Sequence, residues 1–163
     1  MSWYALALTV SFVGGAIVLA GGPWLHSRRS IRWAQIVTTA LLWVWIWGAL
    51  AMTFGTKSGG GSSLNLRPLD VTNRADLVDF ALNITMFLPL GILLAVRGTR
   101  LWQATVTGAV ISLGIEVMQY VLATGRTADI NDFLSNSVGC VLGFLIVSVG
   151  VRPYLLRRKP PRA

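Results

Sequence analysis

Five apolar runs, each close to the length of a membrane span, dominate this chain and leave it few folds to choose from. They cover about residues 3–24, 33–54, 77–96, 102–123 and 132–151. A helix needs roughly 20 apolar residues to cross about 30 Å of hydrocarbon, and within that layer every backbone N–H and C=O must find its partner inside the element. The connections are short. Of the 163 residues 54% are hydrophobic and only 12% charged, so no soluble domain of useful size fits between the runs. The expected fold is an all-α membrane protein: a compact bundle of about five transmembrane helices, one membrane domain over residues 1–163, lying in the cell membrane as a multi-pass protein.

A net charge of +8 would point to nucleic acid in a water-soluble chain, but here the placement of the charges decides. Arg28, Arg29 and Arg32 follow the first run, with His26 beside them. Arg97 and Arg100 follow the third, and Arg152, Arg157, Arg158, Lys159 and Arg162 belong to the tail. Ten of the fourteen basic residues thus share one side, which the positive-inside rule assigns to the cytoplasm, while Lys57, Arg67, Arg74 and Arg126 fall on the other. The six acidic residues, Asp70, Asp76, Asp79, Glu116, Asp129 and Asp132, all lie toward that second side. The expected orientation is N-terminus outside and C-terminus cytoplasmic, with no nucleic-acid partner. A secretory signal carries basic residues ahead of its apolar core; here they come after it, so the first run is expected to remain as a helix. Cys140 is the single cysteine and can form no internal disulfide.

Trp3, Tyr4, Trp24, Trp33 and Trp102 fall at run ends, where aromatic rings settle at headgroup level, while Trp43, Trp45 and Trp47 lie deeper. The connection after the second run opens as a flexible Gly/Ser linker over residues 55–63. It then stiffens at N-L-R-P-L, because Pro68 fixes its own φ and pushes Arg67 toward an extended conformation. That second half reads as a re-entrant or interfacial segment. Gly14 and Gly15, Gly108 with Ser112, and Gly139-x-x-x-Gly143 mark places where helices can approach closely, and the last spacing is compatible with an oligomer.

Polarity is concentrated in E-V-M-Q-Y-V-L-A-T-G-R-T-A-D-I-N-D-F-L-S-N, residues 116–136, between the fourth and fifth runs. An ionisable side chain inside a span costs about 2.5–3.5 kcal/mol on insertion scales, so Glu116 must face protein or water, or be protonated. Helical steps of about 100° put Ser112, Glu116, Gln119 and Tyr120 on one stripe, expected to face inward. On the fifth run Asp129, Asp132, Asn136, Gly139 and Gly143 share an arc, and Asp129 or Asn131 is a natural N-cap. Antiparallel register pairs Glu116 with Asn136 and leaves Arg126 at the turn, within reach of a carboxylate. Asp79 and Asn83 add an i,i+4 pair near the start of the third run, above Pro89, which frees the carbonyl of Thr85.

Three pieces, N-L-R-P-L (from Asn65), N-x-x-x-F-x-P-L-G (Asn83 to Gly91), and E-x-x-Q followed by R-x-x-D-x-x-D-x-x-x-N-x-x-G-x-x-x-G (Glu116 to Gly143), resemble the VanZ-like membrane protein family. They cover residues 65–143, within a core of about 65–150, while the first two runs match only as hydrophobic helices. The resemblance implies a small helical protein of the bacterial cell envelope. The family's founding member is associated with resistance to teicoplanin, a glycopeptide antibiotic with a lipid tail. The resemblance supplies no reaction and no cofactor.

The leading functional reading is an outward-facing polar site that binds an amphiphilic envelope molecule, a membrane lipid or a lipid-linked species. Glu116, Gln119, Asp132, Asn136 and Asn83 would hold a head group, with Asp129 beside them and Arg67 and Arg126 pairing with phosphate. An enzyme resembling the lipid phosphotransferases would use Glu116 and Asp132 for catalysis, with Asp129 and Asp132 as candidate ligands of a divalent ion. A structural or oligomeric scaffold and a small transporter are the remaining classes; five spans without a visible repeat make a thin frame for alternating access.

Overall fold

The protein is described from a computed structural model covering residues 3–21, 32–55, 64–122 and 127–151. The basic connection after the first run, most of the Gly/Ser linker, Arg126 and the basic tail lie outside the described residues. Among the described residues there are five α-helices: α1 (Trp3–Ala20), α2 (Trp33–Gly55), α3 (Arg74–Val96), α4 (Leu101–Val121) and α5 (Ile130–Leu145), the last continued by a π-helical segment, Ile146–Val151. Two strands of two residues, β1 (Leu64–Asn65) and β2 (Ala128–Asp129), complete the order. Trp33–Phe54, Arg74–Val96, Leu101–Val121 and Ile130–Gly150 are long and apolar enough to cross a membrane, whereas α1 is a shorter apolar helix. Large apolar side chains such as Phe12, Ile17, Val110 and Val121 stand exposed, as expected where a helix faces hydrocarbon instead of water.

The chain divides into two compact units, one of Met1–Pro68 with Leu113–Asn131 and the other of Leu69–Ser112 with Asp132–Ala163. In the first, α1 packs along α2 through small residues. The indole of Trp43 lies over Gly14, and Val44 lies over Gly15, so a methyl group at either glycine would strike the facing side chain. The same contact carries two hydrogen bonds: Trp43 Nε1 donates to the Val10 carbonyl at 3.1 Å and Ser11 Oγ to the Val44 carbonyl at 3.2 Å. Trp43 is thus a packing residue, its ring tilted against Trp47 at a centroid distance of 6.0 Å. β1 pairs in parallel with β2, placing Leu64 opposite Ala128 and Asn65 opposite Asp129.

In the second unit α3 begins at Arg74, ahead of the expected residue 77, because its start is set by a cap and not by the first apolar residue. Asn73 accepts from the N–H of Ala75 at 3.0 Å and its own amide reaches Asp76 in the first turn. Just before it, the Thr72 hydroxyl and N–H both donate to Asp70, holding that carboxyl below its ordinary value. The helix runs unbroken through Pro89 and ends in a tight turn, where the N–H of Gly98 bonds Ala95 O and that of Thr99 bonds Leu94 O. Gly98 sits at φ +80°. Gly98→Ala should lower stability by about 1 kcal/mol, since a Cβ is disfavoured in that region; equal thermal unfolding midpoints for the variant and the parent would refute it.

This unit also holds close backbone approaches between α3 and α5. A Cβ on Gly139 would run into the carbonyl of Ile84, one on Gly143 into that of Leu88, and one on Gly91 into the backbone at Cys140 and Phe144. Gly108 on α4 faces the Cys140 side chain, whose thiol donates to the Ala104 carbonyl at 3.3 Å. Cys140 is therefore a small packing residue, fully buried.

Candidate functional site

A cluster of polar residues in the first unit lies where β1 meets β2. Asp129 precedes α5 and caps it, its Oδ1 accepting from the N–H of Asn131 at 2.8 Å and from that residue's amide at 2.9 Å. The other carboxylate oxygen accepts from Asn65 Nδ2 at 2.8 Å, which fastens β1 to the start of the helix. Asn131 also donates to the carbonyl of Arg67 at 2.9 Å, and Asn65 Oδ1 accepts from the N–H of Arg67 at 3.0 Å. The Arg67 backbone is held on both sides while its side chain stands exposed.

Glu116 closes this arrangement from α4. Its Oε2 accepts from the backbone N–H of Asp129 at 2.8 Å, and the residue is only 7% exposed. Gln119, one turn further along the same face, is 3% exposed, and its Oε1 has no hydrogen-bond partner among the described residues. Leaving a buried acceptor unpaired costs about 1–3 kcal/mol. The inward stripe expected on α4 is confirmed at Ser112, Glu116 and Gln119 but not at Tyr120, which is half exposed. Tyr120 lies about 40° beyond Glu116 and about 100° from Gln119, at the edge of the stripe, where it is half exposed.

The second unit carries its own polar contacts. Asn83 Nδ2 on α3 donates to Asp132 Oδ1 at 2.6 Å, and the Ser135 hydroxyl bonds back to the Asp132 carbonyl at 3.1 Å. Asn136 is 2% exposed and donates to Ser112 Oγ at 3.0 Å, one turn before Glu116 on α4. The amide of Asn136 thus goes to Ser112 and not to the expected Glu116. Asn136 Oδ1, like Gln119 Oε1, has no partner among the described residues. Asp79 is exposed. Asp129 and Asp132, the candidate ligands of a divalent ion, are engaged by asparagine donors, and no group of three His, Cys, Asp or Glu placed to hold a metal occurs among the described residues.

A profile of the VanZ/LLP1 family matches residues 36–151, most of the chain. The chain belongs to the VanZ/LLP1 family. The VanZ/LLP1 match reaches back into α2, well ahead of the residues 65–143 whose motifs carried the resemblance. No curated protein and no solved structure matches the chain. The geometry accounts for the VanZ/LLP1 motifs in physical terms. N-L-R-P-L supplies the amide that holds Asp129, E-x-x-Q supplies the carboxylate that holds the Asp129 N–H, and the glycines of the third motif let α5 touch α3. Sequence reasoning missed the part played by Asn65 and Ser135, and the short parallel pairing. A two-residue strand has no periodicity to read, but an Asn two residues before Arg67-Pro68 carries an Asx-turn signal.

Proposed function

We propose that the cluster around Glu116, Gln119 and Asp129 is the head-group site of an amphiphilic envelope molecule, opening toward the outer leaflet with the N-terminus outside and the C-terminus cytoplasmic. The observation that carries this reading is Glu116 itself. It is a carboxylate buried in a helix long and apolar enough to span a membrane, and it is aimed at a backbone N–H of a loop that two distant motifs lock in place. Intramembrane carboxylates are expensive and mark functional sites far more often than neutral positions do. Arg67, anchored through its backbone with an exposed guanidinium, is suited to a phosphate at the edge of the site, where its planar fork matches two oxygens. Asn83 with Asp132 and Asn136 with Ser112 tie helices together in the second unit. A glycopeptide with a lipid tail, such as teicoplanin, is one amphiphile of the class proposed.

The test is to incubate the purified protein with labelled envelope lipids, with and without Mg²⁺, re-isolate it and identify what it retains. The expected result is an unaltered lipid retained by the parent protein and about tenfold less by Glu116→Ala, the loss of one bond to a charged group. A chemically altered lipid would instead select the phosphotransferase-like enzyme. No retained lipid at all would overturn the binding reading and favour a scaffold or transporter.

A further inference from the structure

Resting on that reading, the donors and acceptors of the first unit specify what kind of head group it takes. Four donors around Asp129 are already engaged. The Asn65 amide goes to Asp129, the Asn131 N–H goes to Asp129, the Asn131 amide is shared between Asp129 and the Arg67 carbonyl, and the Asp129 N–H goes to Glu116. What is left over is an acceptor, the Oε1 of Gln119, on a side chain 3% exposed and one turn from Glu116. A buried amide oxygen needs a donor, and the chain does not supply one among the described residues. We infer that the bound head group carries a hydrogen-bond donor, a hydroxyl or an ammonium, that ends on Gln119.

A phosphodiester cannot meet this need, because its oxygens carry no proton at neutral pH and would be set against another oxygen. The geometry therefore separates two parts of one ligand: an anionic part for the exposed Arg67, and a donor-bearing part for the buried face of α4. The occupant is an amphiphile whose phosphate is esterified to an amine- or hydroxyl-bearing group.

Two lipid pairs with equal charge and identical acyl chains separate the donor from everything else. Phosphatidylethanolamine and phosphatidylcholine differ in having or lacking N–H, and phosphatidylglycerol and phosphatidylmethanol differ in having or lacking hydroxyls. Competition for the purified full-length protein, read by native mass spectrometry, should favour the donor-bearing member of at least one pair by roughly tenfold, about one hydrogen bond. The pair that shows the preference identifies the donor as ammonium or hydroxyl. Gln119→Met, which keeps length and removes the acceptor, should bring that pair to parity. Parity in both pairs with the parent protein means that Gln119 holds a water only and overturns this inference while leaving lipid binding standing. A preference that persists in Gln119→Met overturns it as well, and failure of the parent to retain any of the four lipids overturns both readings. If Gln119→Met fails to fold, the parent's two pairwise preferences decide alone.

Discussion

Gly143→Ala is expected to destabilise the protein by about 2–3 kcal/mol, and Gly143→Leu to leave no folded protein. A Cβ at Gly143 runs into the carbonyl oxygen of Leu88 and lies close to the N–H of Ile92. Both are backbone atoms of α3, so no side-chain rotation can relieve the clash and the two helices must move apart. Overpacking relieved by side chains costs typically 1–3 kcal/mol, and the backbone contact puts this site at the upper end. Separation would also loosen the neighbouring approaches, Gly139 against Ile84 and Gly91 against Cys140, because the three glycines share one helix–helix seam. The membrane offers no hydrophobic force to hold the helices once that fit is lost, since lipid tails are as apolar as the side chains they would replace. The measurement is the unfolding midpoint in mixed detergent micelles, with Gly114→Ala as the matched control. Gly114 lies on α4, and a methyl group there would meet nothing within 4 Å, so that variant should be neutral or gain up to about 1 kcal/mol of helix propensity. Equal midpoints for Gly143→Ala and Gly114→Ala would refute the seam.

The sequence made some of this legible and hid the rest, and the division follows the range of the interactions. Span positions follow from local hydropathy, and α2 begins at the expected Trp33 while α4 begins within a residue of its expected start. The Gly139-x-x-x-Gly143 spacing gave the close helix approach, but only the structure names the partners, Ile84 and Leu88, because nothing in a small-residue pattern says which helix it faces. Glu116 and Gln119 were recognisable as inward-facing from a 100° repeat and the expense of polarity in a span, and both are buried. Asn65 was visible only as a motif residue. Its bond to Asp129 spans 64 positions of chain, and no local rule links residues so far apart. The partner of Asn136, Ser112, is not legible from counting residues either side of a turn, because the chain before α5 includes the extended β2 as well as helix.

The tie between Asn65 and Asp129 supplies the second large effect. Asp129→Ala removes the acceptor of three donors, Asn65 Nδ2 and the N–H and amide of Asn131, and with them the cap of α5. A lost cap is worth about 1 kcal/mol and bonds to a charged group about 1.5–3 kcal/mol, so a loss of about 2–4 kcal/mol is expected after overlap between them. Asp129→Asn is more telling. It keeps an oxygen for Asn131 but turns an amide toward the amide of Asn65, donor against donor, so it should also release β1. Pairing it with Asn65→Asp reverses the bond, with the new carboxylate accepting from the new amide while still accepting from the N–H of Arg67. Stability and slow hydrogen exchange at residues 64–67 should then return in part, with a coupling of about 1–2 kcal/mol between the two positions. Strict additivity of the two single changes would show that the contact contributes nothing. The Asp129 N–H is the donor to Glu116, so a β1–β2 junction that opens also withdraws that bond. On the proposed head-group reading, lipid retention should therefore fall with Asp129→Asn and recover in the swapped pair, which would link the fastening of a loop to the buried Glu116.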